Sequence, residues 1–384
     1  MSPQCDFGIE EEYLLIDRAS GQVLARPPPR IARLCRQAIG KYLDDEMFRC
    51  QIEIASPVFD TIHQAREFFI TYRQRLFDLL AEENLGLYCA ASHPTALWQR
   101  QSPRAAVHFK QIFDDYQHVA RRSLLCGLHV HVGVPADCDR IQLINRLLYW
   151  TPLLLVLSTS SPLWGGQVTG YMSYRRVICG EWPHMGLPEP LADWRAYQRY
   201  RELLQRMGAL AKDAALWWAI RPSHRFPTVE LRMTDACPRL EDALCIAALF
   251  RHLVHHCLLS HQDAQPLSRE MRWVTQENYW RALRHGRQGE YIGWHGQQPV
   301  NAMGWLAQAQ AQYPCDTADA ERAFLQARHI LAEGTSADRQ LAALARGRAD
   351  GLDQRQALRR VVEQVMEDAL NMVPTAPAPT GAMF

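Results

Sequence analysis

Four separated stretches of this chain alternate between apolar and polar side chains, and their polar positions are Glu, Gln, His or Arg. In residues 5–16, Phe7 and Ile9 share one parity and Glu10 and Glu12 the other. In residues 48–56, Phe48, Cys50, Ile52 and Ile54 alternate with Gln51 and Glu53. In residues 126–134, Leu128, Val130, Val132 and Val134 alternate with His129 and His131. In residues 228–235, Val229, Leu231 and Met233 alternate with Glu230 and Arg232. Successive side chains of a strand point to opposite faces, so each stretch predicts a strand with one face for packing on helices and one carrying titratable groups. If the four share a sheet, several carboxylates, two imidazoles and an arginine converge on its open side. An ordinary half-exposed sheet alternates too. Its solvent face is usually richer in Thr, Lys and Ser, and Glu is disfavoured in strands. Carboxylates crowded on one sheet face repel one another unless a cation neutralises them, which makes a bound metal the simplest cause.

The donors set the expected metal. Carboxylate oxygens with one or two imidazoles suit Mg²⁺ or Mn²⁺, whereas structural zinc takes Cys or more His. Mg²⁺ commonly keeps positions for phosphate oxygens, so a carboxylate cradle points to a nucleotide. Two Arg-rich segments, Ser173-Tyr174-Arg175-Arg176 and residues 221–232, can meet phosphate or a substrate carboxylate through bidentate guanidinium contacts, or can be surface charge.

Helical spacing of apolar residues predicts helices over residues 62–80, 140–157 (bent or interrupted at Pro152), 194–210, 240–259, 322–331 and 354–371. Residues 87–92 and 171–178 add two more candidate strands. Helices and strands do not alternate regularly, and no Gly-rich phosphate loop follows a strand, which argues against a Rossmann sheet or a TIM barrel. The pattern predicts an α+β fold built on a mostly antiparallel sheet. Because the proposed site draws on residues 5 to 235, one catalytic domain is expected over residues 1–373, with a disordered Pro-rich tail over 374–384.

Composition narrows the class. At 48% apolar and 22% charged residues the chain is neither disordered nor collagen-like. Its 42 Lys and Arg balance 41 Asp and Glu to +1, so no basic field marks it for nucleic acid or a membrane surface. Residues 1–16 lack the basic start and apolar run of a signal peptide. The apolar run 147–157 is broken by Tyr149, Trp150, Thr151 and Pro152 and is shorter than the ~20 residues a span needs. The 11 scattered cysteines form no Cys-x-x-Cys and read as reduced, mostly buried thiols of a cytoplasmic protein. None reads as a nucleophile. His252, His255, His256 and His261 lie in or just beyond an apolar helix. His252 and His256 are a possible metal pair at i, i+4, but no HExxH frame accompanies them, and a packing or surface role is the favoured reading. Trp217-Trp218 read as core.

At the same segments the chain resembles the carboxylate–amine ligases, or type 2 glutamate–cysteine ligases, of the glutamine-synthetase-like superfamily. The residues that carry the likeness are Phe7-Gly8-Ile9-Glu10-Glu11-Glu12-Tyr13, Gln51-Ile52-Glu53-Ile54-Ala55-Ser56-Pro57 and Cys126-Gly127-Leu128-His129-Val130-His131-Val132-Gly133. They continue with Ser161-Pro162-Leu163-Trp164-Gly165-Gly166, Gly170-Tyr171-Met172-Ser173-Tyr174-Arg175-Arg176, Arg221-Pro222-Ser223 and Thr228-Val229-Glu230-Leu231-Arg232-Met233-Thr234-Asp235. Echoes at Glu277-Asn278-Tyr279-Trp280-Arg281-Ala282 and Gly334-Thr335-Ser336-Ala337-Asp338-Arg339-Gln340 extend the match, in consistent order, to about residue 345. The resemblance implies a curved, mostly antiparallel sheet with an open polar face and helices on the other. It implies ATP-dependent activation of glutamate's side-chain carboxylate as an acyl phosphate, which an amine then attacks, in a homodimer acting on small molecules. Glu10, Glu12, Glu53, His129 and Glu230 would hold Mg²⁺. Arg232 would contact phosphate or the glutamate carboxylate, and Tyr174, Arg175 and Arg176 would line the substrate or nucleotide pocket. Outside this class, a metal hydrolase using His129, His131 and Glu230, or a non-catalytic amino-acid or nucleotide sensor, would place the same residues together.

Overall fold

The computed structural model describes residues 5–211, 214–260, 267–296 and 298–372. The expected tail and His261 lie outside them. The strands are β1 (Phe7–Asp17), β2 (Leu43–Asp45), β3 (Gln51–Ala55), β4 (Leu85–Tyr88), β5 (Leu128–Gly133), β6 (Leu163–Trp164), β7 (Gln167–Val168), β8 (Ile220–Pro222), β9 (Thr228–Leu231), β10 (Glu290–Ile292) and β11 (Pro299–Asn301). Seven of them form one sheet in the order β2-β3-β1-β5-β9-β8, with β4 also on β1; β6–β7 and β10–β11 are separate ribbons. Every pairing is antiparallel. β3 lies along one edge of β1, while the other edge takes β5 over Phe7–Glu11 and then β4 over Leu14–Asp17. The four polar-faced strands thus sit side by side as β3-β1-β5-β9.

Their apolar faces build the main core. Ile9, Tyr13, Ile52, Ile54, Val130, Val132, Val229 and Leu231 are buried there with residues of the helices Ile62–Glu82, Thr151–Ser158 and Leu240–Leu259. The first of these helices is started by Thr61, whose hydroxyl accepts from the Gln64 N–H while the Gln64 side chain caps the Thr61 N–H. Leu240–Leu259 is apolar over most of its surface and accordingly mostly buried, with Arg251, His255 and His256 half-buried near its end. It is long and apolar enough to cross a membrane by composition, yet 78% of it is buried inside the protein.

Two local expectations change, and a third is resolved between its alternatives. The helix over 140–157 is two, Arg140–Leu147 and Thr151–Ser158, bent by 61°. Pro152, which has no N–H to donate, opens the second rather than sitting inside one helix. Residues 171–178 are not a strand: Tyr174–Cys179 is a helix. Its buried residues are Arg175, Arg176, Ile178 and Cys179. Neighbours such as Arg175 and Arg176 cannot both face inward at a period of two, but can on a helical turn. Finally, β3 begins at Gln51, so Phe48 and Cys50 do not join Ile52 and Ile54. They fill a second core with Leu14, Ile16, Tyr88, Phe113, Cys126 and Trp182. Leu14 and Ile16 share the parity of Glu10 and Glu12, so the polar face of β1 gives way to a covered apolar end. All 11 cysteines are free and none is exposed.

Candidate active site

Register brings the polar residues together. Glu12 of β1 pairs with Glu53 of β3, and Glu10 pairs with His129 of β5. His131 pairs with Glu230 of β9, which in turn pairs with Arg221 of β8. The His129 Nδ1 lies 3.0 Å from Glu10, and its Nε2 3.6 Å from Glu12. His131 Nε2 bridges Glu10 at 3.2 Å and Glu230 at 3.7 Å, and its Nδ1 contacts the Thr228 hydroxyl at 3.0 Å. The Gly127 N–H donates to Glu12 at 2.8 Å. A Cβ at residue 127 would fall 2.3 Å from the Arg175 guanidinium, which explains a glycine there. Glu46, just past β2, hydrogen-bonds the Glu53 carboxyl.

These groups open on a cavity of about 290 Å³. Its polar lining is Glu10, Glu12, Glu46, Gln51, Glu53, Ser123, His129, Arg175, Arg176 and Arg232, and Trp182 and Trp217 are among its apolar walls. Asp235 fixes the arginines' segment. Fully buried, it accepts from the Ser160 N–H and from the Ser161 and Ser173 hydroxyls, at 3.0, 2.8 and 2.8 Å. The Arg175 guanidinium donates to the carbonyls of Met233 and Thr234, and Arg176 donates to Tyr279 and to the Met185 carbonyl.

Charge is unevenly balanced across the site. Burial, together with Glu46, pushes the Glu12 carboxyl up to about 8. Burial and the neighbouring Glu10, Glu46 and Glu12 push Glu53 well above the carboxylate range. Burial also raises Glu46. Glu10 goes the other way: burial opposes its charge, but hydrogen bonds to His129 and His131 outweigh it and hold the carboxyl well below its ordinary value. Glu230 is likewise held at about 2 against burial by Arg232 and Arg221. Burial and the Arg232 charge bring His129 down to about 4, so the ring is neutral and able to ligate. The Glu12–Glu53–Glu46 corner therefore has more carboxyl groups than its own cations can neutralise. Glu12, Glu53 and His129, and separately Glu10, His129 and Glu230, each place three ligand atoms within 4.8 Å of one another. Hard oxygen donors that lack a counter-charge to ionise against, with one neutral imidazole, fit Mg²⁺ or Mn²⁺.

Of the residues singled out from sequence, Glu10, Glu12, Glu53, His129, Arg175, Arg176 and Arg232 line this one cavity. Glu230 does not. It is ion-paired to Arg221 at 2.7 Å and to Arg232, behind the lining. The Tyr174 ring packs against Trp164 and Tyr171 and is also outside the lining. Trp218 is buried as expected, but Trp217 is half-exposed and lines the cavity. Glu46 escaped sequence reasoning; its one signal is an i, i+2 acidic spacing with Asp44 next to the Glu53 strand.

An antiparallel sheet with helices behind it and a carboxylate–imidazole–arginine cavity in front is an arrangement found in known ligases. The fold matches the glutamate–cysteine ligase of Francisella tularensis, solved with AMP, at a TM-score of 0.65 and 12% identity, over 98% of this chain and 90% of that one. It matches a bifunctional glutathione synthetase from Pasteurella multocida at 0.67 and 14%, over 95% of this chain and 53% of that one. The pattern defining glutamate–cysteine ligase family 2 matches residues 6–364, and the chain belongs to that family. Relatives provisionally named glutamate–cysteine ligase 2 share 67% identity over 358 residues in Pseudomonas putida (93% of this chain, 97% of the relative) and 45% over 370 residues in Pseudomonas paraeruginosa (96% and 97%). The chain is an ATP-dependent ligase of the carboxylate–amine type, which forms a C–N bond.

Proposed function

We propose that this ligase activates the γ-carboxylate of glutamate and joins it to an amine, with cysteine as the first acceptor to test. The observation that carries the reading is the Glu10–Glu12–Glu53–His129 cluster facing Arg232 and Arg175 across one cavity. ATP and glutamate are both anions, and a site that unites them needs cations. Glu10, Glu12, Glu53 and His129 would hold Mg²⁺ or Mn²⁺; such an ion clamps phosphate oxygens and offsets charge on the phosphoryl group in transfer.

The protein's own contribution is positioning. Glu230, ionised by its two arginine partners, orients the Arg232 guanidinium, which is the cavity group suited to a phosphate or to the substrate carboxylate. Arg175 and Arg176, tied to backbone carbonyls, supply fixed positive charge. Trp182 and Trp217 exclude water, which would otherwise intercept the acyl phosphate. In the first step a carboxylate oxygen attacks the γ-phosphorus and ADP leaves. In the second the amine nitrogen attacks the acyl carbon, phosphate leaves, and the amine gives up a proton. Tyr174, outside the lining, supports the cavity wall rather than touching substrate. A homodimer, which the family resemblance implies, working in the cytoplasm, which the scattered free cysteines favour, completes the proposal.

An ADP-release screen over amino acids and amines with Mg²⁺ tests the reading. Release that requires glutamate and rises with cysteine supports it. Release with another acid and indifference to glutamate would replace the substrate.

A further inference from the structure

A second group of metal-binding side chains lies away from the ligase cavity. The helix Leu240–Leu259 carries His252, His255 and His256, which share one face at i, i+3 and i+4. All three rings point at the carboxylate of Asp316, in the link between the helices Ala302–Gln312 and Ala318–Glu333. His252 Nδ1 lies 3.7 Å from one carboxylate oxygen, and His256 Nε2 3.8 Å from the other. Those gaps are too long for hydrogen bonds and close to the ~3.3 Å between neighbouring ligands of a tetrahedral ion with bonds of about 2 Å. His255 Nε2 is 3.4 Å from the same carboxylate.

Two details point to a ligand rather than to a packed histidine cluster. The His252 ring is buried, and its Nε2 contacts the Tyr313 carbonyl at 3.0 Å. That nitrogen must carry the proton, which leaves the Nδ1 lone pair directed at Asp316. A backbone carbonyl behind a histidine is the usual orienting contact of a metal ligand. On the neighbouring turn the His256 ring has the Pro314 carbonyl beside it, yet its buried Nε2 makes no well-formed hydrogen bond, although buried polar atoms nearly always find one. A cavity of about 570 Å³, lined by His252, His255, Asp316, Asp60, Asp319 and Arg251, gives an ion a way in to His252 and Asp316, with His256 just behind the lining.

We propose that His252, His256 and Asp316 bind a zinc-type divalent cation, with His255 at or beside a further coordination position. Two imidazoles and one carboxylate suit zinc and its late first-row neighbours and not Mg²⁺, so this site and the ligase cavity take different ions. The ion would clip the 313–317 link onto the mostly buried helix Leu240–Leu259 and so stabilise the fold.

The test is calorimetric titration of Zn²⁺ into the full metal-stripped chain in excess Mg²⁺ and ATP, which occupy the ligase cavity. Wild type is compared with His252→Gln/His256→Gln, and with His256→Gln alone should the double variant fail to fold. Wild type is expected to bind one Zn²⁺ per chain and to melt about 3–5 °C higher at hundredfold saturation. Each variant is expected to lose both responses while keeping wild-type ADP release in Mg²⁺. Zn²⁺ binding of equal stoichiometry and affinity in wild type and variants, or in neither, would overturn the proposal.

Discussion

Consecutive glutamates of β1 meet opposite fates. Glu11 points into the dry core, where the fully buried Arg73 grips both its oxygens at 2.6 and 2.9 Å and Tyr13 donates to it. Arg73 spends its remaining donors on the carbonyls of Cys237 and Pro238. Glu10 and Glu12, one residue either side, point into the cavity among Glu53, Glu46 and His129. The buried carboxylate has its counter-charge built in; Glu12 and its acidic neighbours do not. The first arrangement holds the sheet to its helices, and the second leaves charge for a ligand to balance.

The largest difference is expected in stability. Arg73→Met strands Glu11 in the core and should cost about 3–5 kcal/mol in urea unfolding, part of which Arg73→Met/Glu11→Leu restores. A loss under about 1 kcal/mol would make the pair dispensable. On the other face, Glu53→Gln removes a repelling carboxyl and should leave the metal-free protein as stable or more so, yet lower Mg-ATP turnover about 10²–10³-fold. Glu230→Gln, which frees Arg232, should abolish turnover as well without unfolding the chain. Wild-type rates in either variant would remove that residue from the machinery.

Acidity separates the faces more gently. Glu12 takes up its proton more readily folded than unfolded, so its contribution is full below its ordinary value of 4.5 and is lost as pH rises to about 8. Metal-free wild type should therefore lose melting temperature across that window relative to Glu12→Gln, and Mg²⁺ should cancel the difference. Parallel pH profiles would show that Glu12 does not carry this charge strain. Smallest of all, Trp217→Ala should raise KM about 3–10-fold with little change in kcat, as loss of one apolar wall predicts. A fall in kcat alone would place Trp217 nearer the reacting atoms.

Most of the site was legible because strand periodicity sorts residues by face before any contact is known. Glu10, Glu12, Glu53, His129 and Arg232 converge for that reason, and antiparallel register did the rest. Glu46 sits past a three-residue strand too short to show a period. Glu11 could not be recognised as structural, since its partner Arg73 lies 62 residues away on a helix. Arg175 and Arg176 stand out by charge and line the cavity, but their segment reads as a strand, because two adjacent arginines do not reveal that both are buried. Trp217 and Trp218 look alike in sequence, and only packing decides which one the cavity meets.

The acidic corner of β1 and β3 is predicted to bind divalent cations. Spin-resonance titration of Mn²⁺ into the metal-stripped full chain with ATP tests it most directly. Tight Mn²⁺ binding in wild type and in His252→Gln/His256→Gln, lost in Glu53→Gln at unchanged melting temperature, is the predicted result. Equal Mn²⁺ binding by wild type and a folded Glu53→Gln would contradict it.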